Sequence, residues 1–217
     1  MDIVCIADTH GRHDRFRIPA GDVLIHAGDF SETGEAGEVD LFLDWLANLP
    51  HARKIFIGGN HEFYLEEHSE YFMEQVRHIP GVVYLQDSGV EIEGVKFWGS
   101  PVTPRYYDWA FNRSRGPEIR AHWDRIPKDT NVLVTHGPPA GIGDVNAAGS
   151  HEGCADLRSV VAKLHQLRLH VFGHIHAGFG RYEQAGITFV NAAMLTDAYV
   201  VRNEPPFIFK FPTGFQP

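Results

Sequence analysis

Short apolar runs alternate with helical-period segments along this chain. Ile3-Val4-Cys5-Ile6-Ala7 and Val23-Leu24-Ile25-His26-Ala27 are near-continuous apolar runs bounded by polar or glycine residues, the pattern of strands buried on both faces. Between Glu35 and Leu49 the set Val39, Phe42, Leu43, Leu46 recurs at helical spacing, and Pro50 follows its end, which predicts a helix. Lys54 to Ile57 reads as a strand and Glu66 to Arg77 as a helix closed by Pro80-Gly81. Val82 to Leu85, Val90 to Ile92 and Val95 to Trp98 read as short strands with glycine-bearing turns, and Asn131 to Thr135 as another buried strand. A helix is predicted from Ala155 to about Leu167. Strands follow at Leu169 to Phe172, Phe179 to Tyr182, Ile187 to Val190 and Phe207 to Phe211, the last of them forming a terminal meander. No repeat, low-complexity tract or linker interrupts this order, so the reading is one mixed α/β domain over residues 1–217.

The segment from Ser100 to Lys128 breaks the pattern. It holds Pro101, Pro104 and Pro117, five aromatic residues and the bases Arg105, Arg113, Arg115, Arg120 and Arg125. It reads as a long, partly ordered loop ending in a short helix near Glu118 to Trp123.

Composition adds exclusions. Of 217 residues, 43% are apolar and 22% charged, a balance that supports a core without disulfides. With only two cysteines, Cys5 and Cys154, and nothing that reads as a signal peptide, a reducing cytoplasm is the expected home. No run approaches the roughly 20 apolar residues needed to span a bilayer, so no membrane association is expected. The formal charge of −9 is lopsided: 8 Lys+Arg face 19 Asp+Glu through Asp108, but 11 face 9 from Trp109 onward. Such a chain is a poor partner for duplex nucleic acid, where basic residues supply most of the affinity. Bound cations could still reverse the local sign and admit phosphate, and 14 histidines raise the question of metal.

Five polar clusters follow the ends of expected strands, where α/β folds present binding loops. They are Asp8-Thr9-His10, Gly28-Asp29, Gly58-Gly59-Asn60-His61-Glu62, Thr135-His136-Gly137 and Gly173-His174-Ile175-His176. Any one of them could be a turn or a helix cap; five in register with five strand ends point to one site. In this order they resemble the calcineurin-like metallophosphoesterase superfamily. Ile25-His26-Ala27-Gly28-Asp29-Phe30, Trp98-Gly99-Ser100-Pro101, Thr135-His136-Gly137-Pro138-Pro139 and His170-Val171-Phe172-Gly173 are similar to its small metallophosphoesterase-domain subgroup, related to class III cyclic nucleotide phosphodiesterases. Gly28-Asp29 continues as Phe30-Ser31-Glu32-Thr33 and not as the extension of protein Ser/Thr phosphatases, which counts against a phosphoprotein substrate.

The resemblance implies a four-layer α/β/β/α sandwich of two mixed sheets flanked by helices, and a centre of two divalent transition-metal ions. Asp8, His10 and His176 would hold one metal, Asn60, His136 and His174 the other, and Asp29 would bridge them. Two closely spaced cations need a shared carboxylate to screen their repulsion. The mixed nitrogen and oxygen set suits manganese, iron, zinc, cobalt or nickel over calcium or magnesium, and manganese is the expected occupant. A hydroxide bridging the metals would attack phosphorus, and His61 would protonate the leaving oxygen. The implied activity is hydrolysis of small phosphodiesters such as cyclic nucleotides. The alternatives are a phosphomonoesterase and a non-catalytic, metal-stabilised binding or scaffold protein.

Other residues have plainer readings. Glu62 reads as an acid in the first turn of a helix, His26 as a hydrogen-bonded core histidine, Cys5 as core packing, and His151 with Cys154 as a helix start rather than a zinc site. His13 is the best of the remaining histidines for a substrate role or a supporting role behind the ligands. The 105–125 segment reads either as a surface loop pinned by its aromatics or as a substrate wall. In the second case Trp109 or Phe111 would stack on the leaving group and Arg113 or Arg115 would meet phosphate. Oligomeric state is open, since the apolar Pro205 to Phe209 could pack internally or on a partner.

Overall fold

Two sheets stack through an apolar layer that both contribute to, and helices cover their outer faces. The structure, a computed structural model, describes residues 1–212; the rest of the expected 1–217 domain lies outside the described residues. The first sheet runs β13-β1-β2-β3-β4, with β1 at Asp2–Ile6, β2 at Val23–His26, β3 at Arg53–Phe56, β4 at Val82–Tyr84 and β13 at Phe207–Lys210. Strands β1 to β4 are parallel and β13 is antiparallel to β1. The second sheet runs β11-β12-β10-β9-β6-β5. Its strands are β5 at Ser88–Ile92, β6 at Val95–Ser100, β9 at Val132–Thr135, β10 at Leu169–Phe172, β11 at Gly180–Gln184 and β12 at Ile187–Asn191. Here β6, β9, β10 and β12 are parallel and the edges β5 and β11 antiparallel. A two-residue ladder joins β7 at Thr103–Pro104 to β8 at Asn112–Arg113.

The alternation of strand side chains sets the layers. Ile3, Cys5, Val23, Ile25 and Ile55 meet Phe97, Val132, Val134, Leu169 and Val171 between the sheets. Val4, Ile6, Leu24 and Phe56 face outward under α1 at Ala36–Ala47, α2 at Phe63–Glu67 and α3 at Ser69–Val76. There Phe30 stacks on Phe42 at 3.9 Å. Leu133, Phe172 and Phe189 face outward under α4 at Pro117–Trp123 and α5 at Ala155–Val161. This is the expected four-layer α/β/β/α sandwich. Among the described residues no helix is long and apolar enough to cross a membrane.

Three local expectations are corrected. The helix expected at Glu66 to Arg77 is two helices, parted at His68, whose backbone (φ −123°, ψ 31°) leaves the helical region. The helix expected to run to Leu167 ends at Val161. Beyond it the chain tightens into i→i+3 turns, Leu164 N–H to Val161 O at 3.1 Å and Leu167 N–H to Leu164 O at 3.2 Å, so both leucines stay in the core without a helix. The terminal meander is also replaced: of its strands β11 and β12 form a hairpin, while β13 crosses to the first sheet and pairs with β1.

Two buried strand histidines make the fold sensitive to acid. His26 shares Nε2 with Thr9 Oγ1 at 3.0 Å, and His170 shares Nε2 with Thr135 Oγ1 at 2.8 Å; both Nδ1 atoms are buried without a partner. Burial pushes each imidazole down to about 3 from 6.5. The unfolded chain therefore takes up these protons first as pH falls below 6.5, so stability drops between 6.5 and 3 by up to about 1.4 kcal/mol per pH unit per histidine. Urea midpoints in EDTA should fall from pH 6.5 to 4.5, and His170→Phe should flatten that slope. An unchanged slope in the variant would refute the assignment.

Candidate metal centre

All five polar clusters lie at the C-terminal ends of parallel strands, β1, β2 and β3 in one sheet and β9 and β10 in the other. The two rims are stitched together by Ala7, whose N–H donates to Ala192 O and whose carbonyl accepts from Met194 N–H, both at 2.9 Å. Four residues at this rim, Asp8, His10, Asp29 and His174, have φ between 40° and 67°. Side chains pay for that conformation, and it persists where the surroundings demand it. Glycine is required beside them: a Cβ at Gly173 would run into the Asp8 carboxylate, and one at Gly59 into Asp29 and His136.

The seven expected ligands converge. Ligand-type atoms of Asp8, His10 and His176 lie within 4.8 Å of one another, as do those of Asp29, His136 and His174. Asp29 also groups with His10 and His61, so its carboxylate sits between the two sets: Asp29 Oδ2 is 3.2 Å from His136 Nε2 and 3.8 Å from His10 Nε2. Asn60 Oδ1 is 3.0 Å from His136 Nε2.

The rings are aimed from behind. His136 Nδ1 faces Ala27 O at 2.9 Å and His176 Nδ1 faces Thr196 O at 3.1 Å. Each Nδ1–H donates to its carbonyl, which turns Nε2 toward the centre, where a bound cation would replace its proton. Both ring nitrogens of His10 are buried without a hydrogen-bond partner, an arrangement that a cation at Nε2 would satisfy. The residues fit a pair of divalent metals.

Electrostatics sorts these groups. Burial alone would raise Asp29, yet His136, His61 and His10 hold its carboxyl well below the usual range. Against its own burial, His136 is raised to about 9 by Asp29. Burial would likewise raise Asp8, but His176 and His136 lower it. Burial lowers His10, and burial with the nearby His136 brings His174 down to about 4, so both present neutral lone pairs.

His61 lies at the edge of the centre. Its Nδ1 faces Glu32 O at 2.6 Å, its N–H donates to Asp29 Oδ1 at 3.0 Å, and its Nε2 is 4.0 Å from Asp29 Oδ2. Glu38 braces the loop that displays Glu32 O, accepting from Glu32 N–H, Thr33 N–H and Thr33 Oγ. Trp109 lies on the ring of His61, with centroids 4.5 Å apart.

Four sequence readings are corrected. Phe111 is buried in the outer core of the first sheet, against Gly58, and offers no ring to a ligand. His13 is buried against Trp45 and Phe42. Arg113 donates to Glu66 Oε1 at 3.1 Å, which anchors the segment to α2. Glu62 is a buried tie rather than a first-turn acid: Asp29 N–H and Gly59 N–H donate to Oε2, Ser31 N–H and Oγ–H to Oε1, at 2.6–3.0 Å. Burial and the charge of Asp29 push its carboxyl up to about 7, against the pull of those donors. Glu62→Gln leaves at least one main-chain N–H facing a donor, an expected loss of about 1–3 kcal/mol in a urea titration; an unchanged midpoint would contradict this role.

A cleft of about 350 Å³ opens beside the centre, lined by His174, His176, Arg105, Tyr106, Arg115 and Tyr199 among others. Arg115 itself donates to the carbonyls of Gly153 and Glu152. The sequence reading missed Thr196, Tyr199 and Arg202, which belong to no motif. Arg202 donates to His176 O at 2.6 Å and Ala193 O at 3.0 Å.

Carboxylates and imidazoles gathered between the rims of two sheets define a metal-site protein of the α/β/β/α class. A model of the calcineurin-like phosphoesterase family matches residues 1–178. Metallophosphoesterase domain-containing protein 1 of Homo sapiens is 40% identical over 97% of this chain and 71% of its own. A probable cyclic nucleotide phosphodiesterase of Synechococcus is 26% identical over 73% of this chain and 59% of its own. A solved protein of Thermus thermophilus superposes with a TM-score of 0.61 at 12% identity, covering 88% of each chain. The chain belongs to the calcineurin-like phosphoesterase family.

Proposed function

We propose that the protein is a metal-dependent phosphodiesterase acting on small organic phosphodiesters, cyclic nucleotides among them. The observation that carries this reading is the place of Asp29, whose carboxylate belongs to ligand groups on both sides of it. Asp8, His10 and His176 would hold one divalent cation, Asn60, His136 and His174 the other, and Asp29 both. When bound, such a pair supplies Lewis-acid charge to the phosphoryl group and lowers the pKa of water. His61, with Nδ1 engaged by Glu32 O, presents Nε2 as the atom that delivers a proton to the leaving oxygen.

The cations near the site favour a diester. Arg12 is engaged by His10 O and Glu32, Arg113 by Glu66, and Arg115 by main-chain carbonyls, which leaves Arg105, 3.7 Å from Asp108, as the loosely held guanidinium of the cleft. A monoester dianion would gain little from the three engaged arginines, whereas the 350 Å³ cleft has room for a second ester arm. The Synechococcus relative, a probable cyclic nucleotide phosphodiesterase, points the same way. Both cysteines are buried and unpaired, which fits a reducing compartment such as the cytoplasm.

The test is hydrolysis by protein loaded with manganese, then iron, zinc, cobalt or nickel. Substrates are bis- and mono-p-nitrophenyl phosphate and the 2′,3′- and 3′,5′-cyclic nucleotides. Diester turnover lost in EDTA is expected. A monoester preference would make it a phosphomonoesterase, and no turnover with any metal would leave a metal-stabilised binding protein.

A further inference from the structure

The loop after β12 lies beyond the residues matched by the family model, yet it is built into the centre. Ala193 bridges to Ala7 and Leu195 to Val201. Within this loop Thr196 N–H donates to Val200 O at 2.9 Å and Tyr199 N–H to Thr196 O at 2.8 Å, a turn that leaves Tyr199 at φ 56°. A bulky residue in the left-handed region is an outlier that needs a reason. The loop is also anchored: the Arg202 guanidinium holds His176 O and lies 4.5 Å from the centroid of Phe179, and Thr196 O receives His176 Nδ1–H.

What the turn achieves is the placement of one ring. Tyr199 lies 4.9 Å from the ring of His10 and 5.4 Å from that of His176. It is 39% exposed and lines the 350 Å³ cleft, which also holds the exposed ring of Tyr106. An aromatic surface thus sits beside the place where an ester arm would lie once its phosphate met the cations that Asp8, His10, His176 and Asp29 would hold.

We propose that Tyr199 sets substrate preference, its ring being the surface on which a flat aromatic or heterocyclic group on the ester arm stacks, so that arms carrying such a ring are preferred to aliphatic ones. This rests on the phosphodiesterase reading. Stacking of this kind is worth about tenfold in selectivity.

The experiment keeps the leaving group constant and varies the other arm, comparing kcat/KM for phenyl p-nitrophenyl phosphate and methyl p-nitrophenyl phosphate. Phenylphosphonate and methylphosphonate binding is measured by calorimetry alongside. The native protein should favour phenyl about tenfold in both. Tyr199→Phe should keep that ratio, whereas Tyr199→Leu and Tyr199→Asn, the latter tolerant of a positive φ, should bring it near one. A ratio near one in the native protein, or one unchanged in both ringless variants, overturns the proposal; an equal loss on both substrates would mean that Tyr199 acts only through His176. If neither ester is hydrolysed with any metal, the phosphodiesterase reading fails, and the phosphonate ratio alone decides the role of Tyr199.

Discussion

Asp29→Asn is expected to lower hydrolysis of bis-p-nitrophenyl phosphate by roughly three orders of magnitude, about 4 kcal/mol of barrier, and to reduce bound metal measured by elemental analysis. The substitution keeps the shape and removes the charge shared by the two ligand groups. It has a second readout independent of turnover. Without metal, Asp29 more than offsets the burial of His136 and raises its imidazole to about 9, which an NMR titration in EDTA would read. With Asn at 29 that offset is lost while burial remains, so the imidazole resonance of His136 should titrate at a lower pH than in the native protein. A native-like titration, or full metal content with full activity, would remove Asp29 from the role assigned to it.

His61→Ala separates proton delivery from metal holding. A general acid contributes about 10²- to 10⁴-fold where the leaving oxygen needs a proton, so loss in that range is expected for a 3′,5′-cyclic nucleotide. The p-nitrophenolate of bis-p-nitrophenyl phosphate leaves as a stable anion, so the loss there should be nearer tenfold. His61 also lies within the group of His10 and Asp29. Equal losses on both substrates, together with reduced metal content, would make it a ligand instead of an acid.

The strand-end clusters were readable because parallel strands place whatever follows an apolar run at one rim. That rule placed Asp8, Asp29, Asn60, His136 and His174 at the rim; their assignment as ligands came from the resemblance of the five motifs to a known family. What could not be read depends on partners remote in sequence. Glu62 takes its meaning from Asp29 and Ser31, 33 and 31 residues away. Arg113 was drawn from phosphate to α2 by Glu66, 47 residues away, and Phe111 followed the apolar layer under the helices. Tyr199 had no signal: a tyrosine in a polar loop looks ordinary until the turn at φ 56° aims it. The destination of β13 was equally hidden, since alternation defines a strand but not its neighbour.

That destination bears on synthesis. With β13 antiparallel to β1, one side of β1 has no partner until residues 207–210 have left the ribosome, so β1 waits for a strand made long after it. Pairings this remote form slowly, and an unpaired strand edge invites association with other chains. Nascent chains arrested before Phe207 should therefore associate with one another or bind chaperones more than those arrested well past Lys210; equal behaviour in a sedimentation assay of ribosome-bound chains would argue that β1 is protected in some other way.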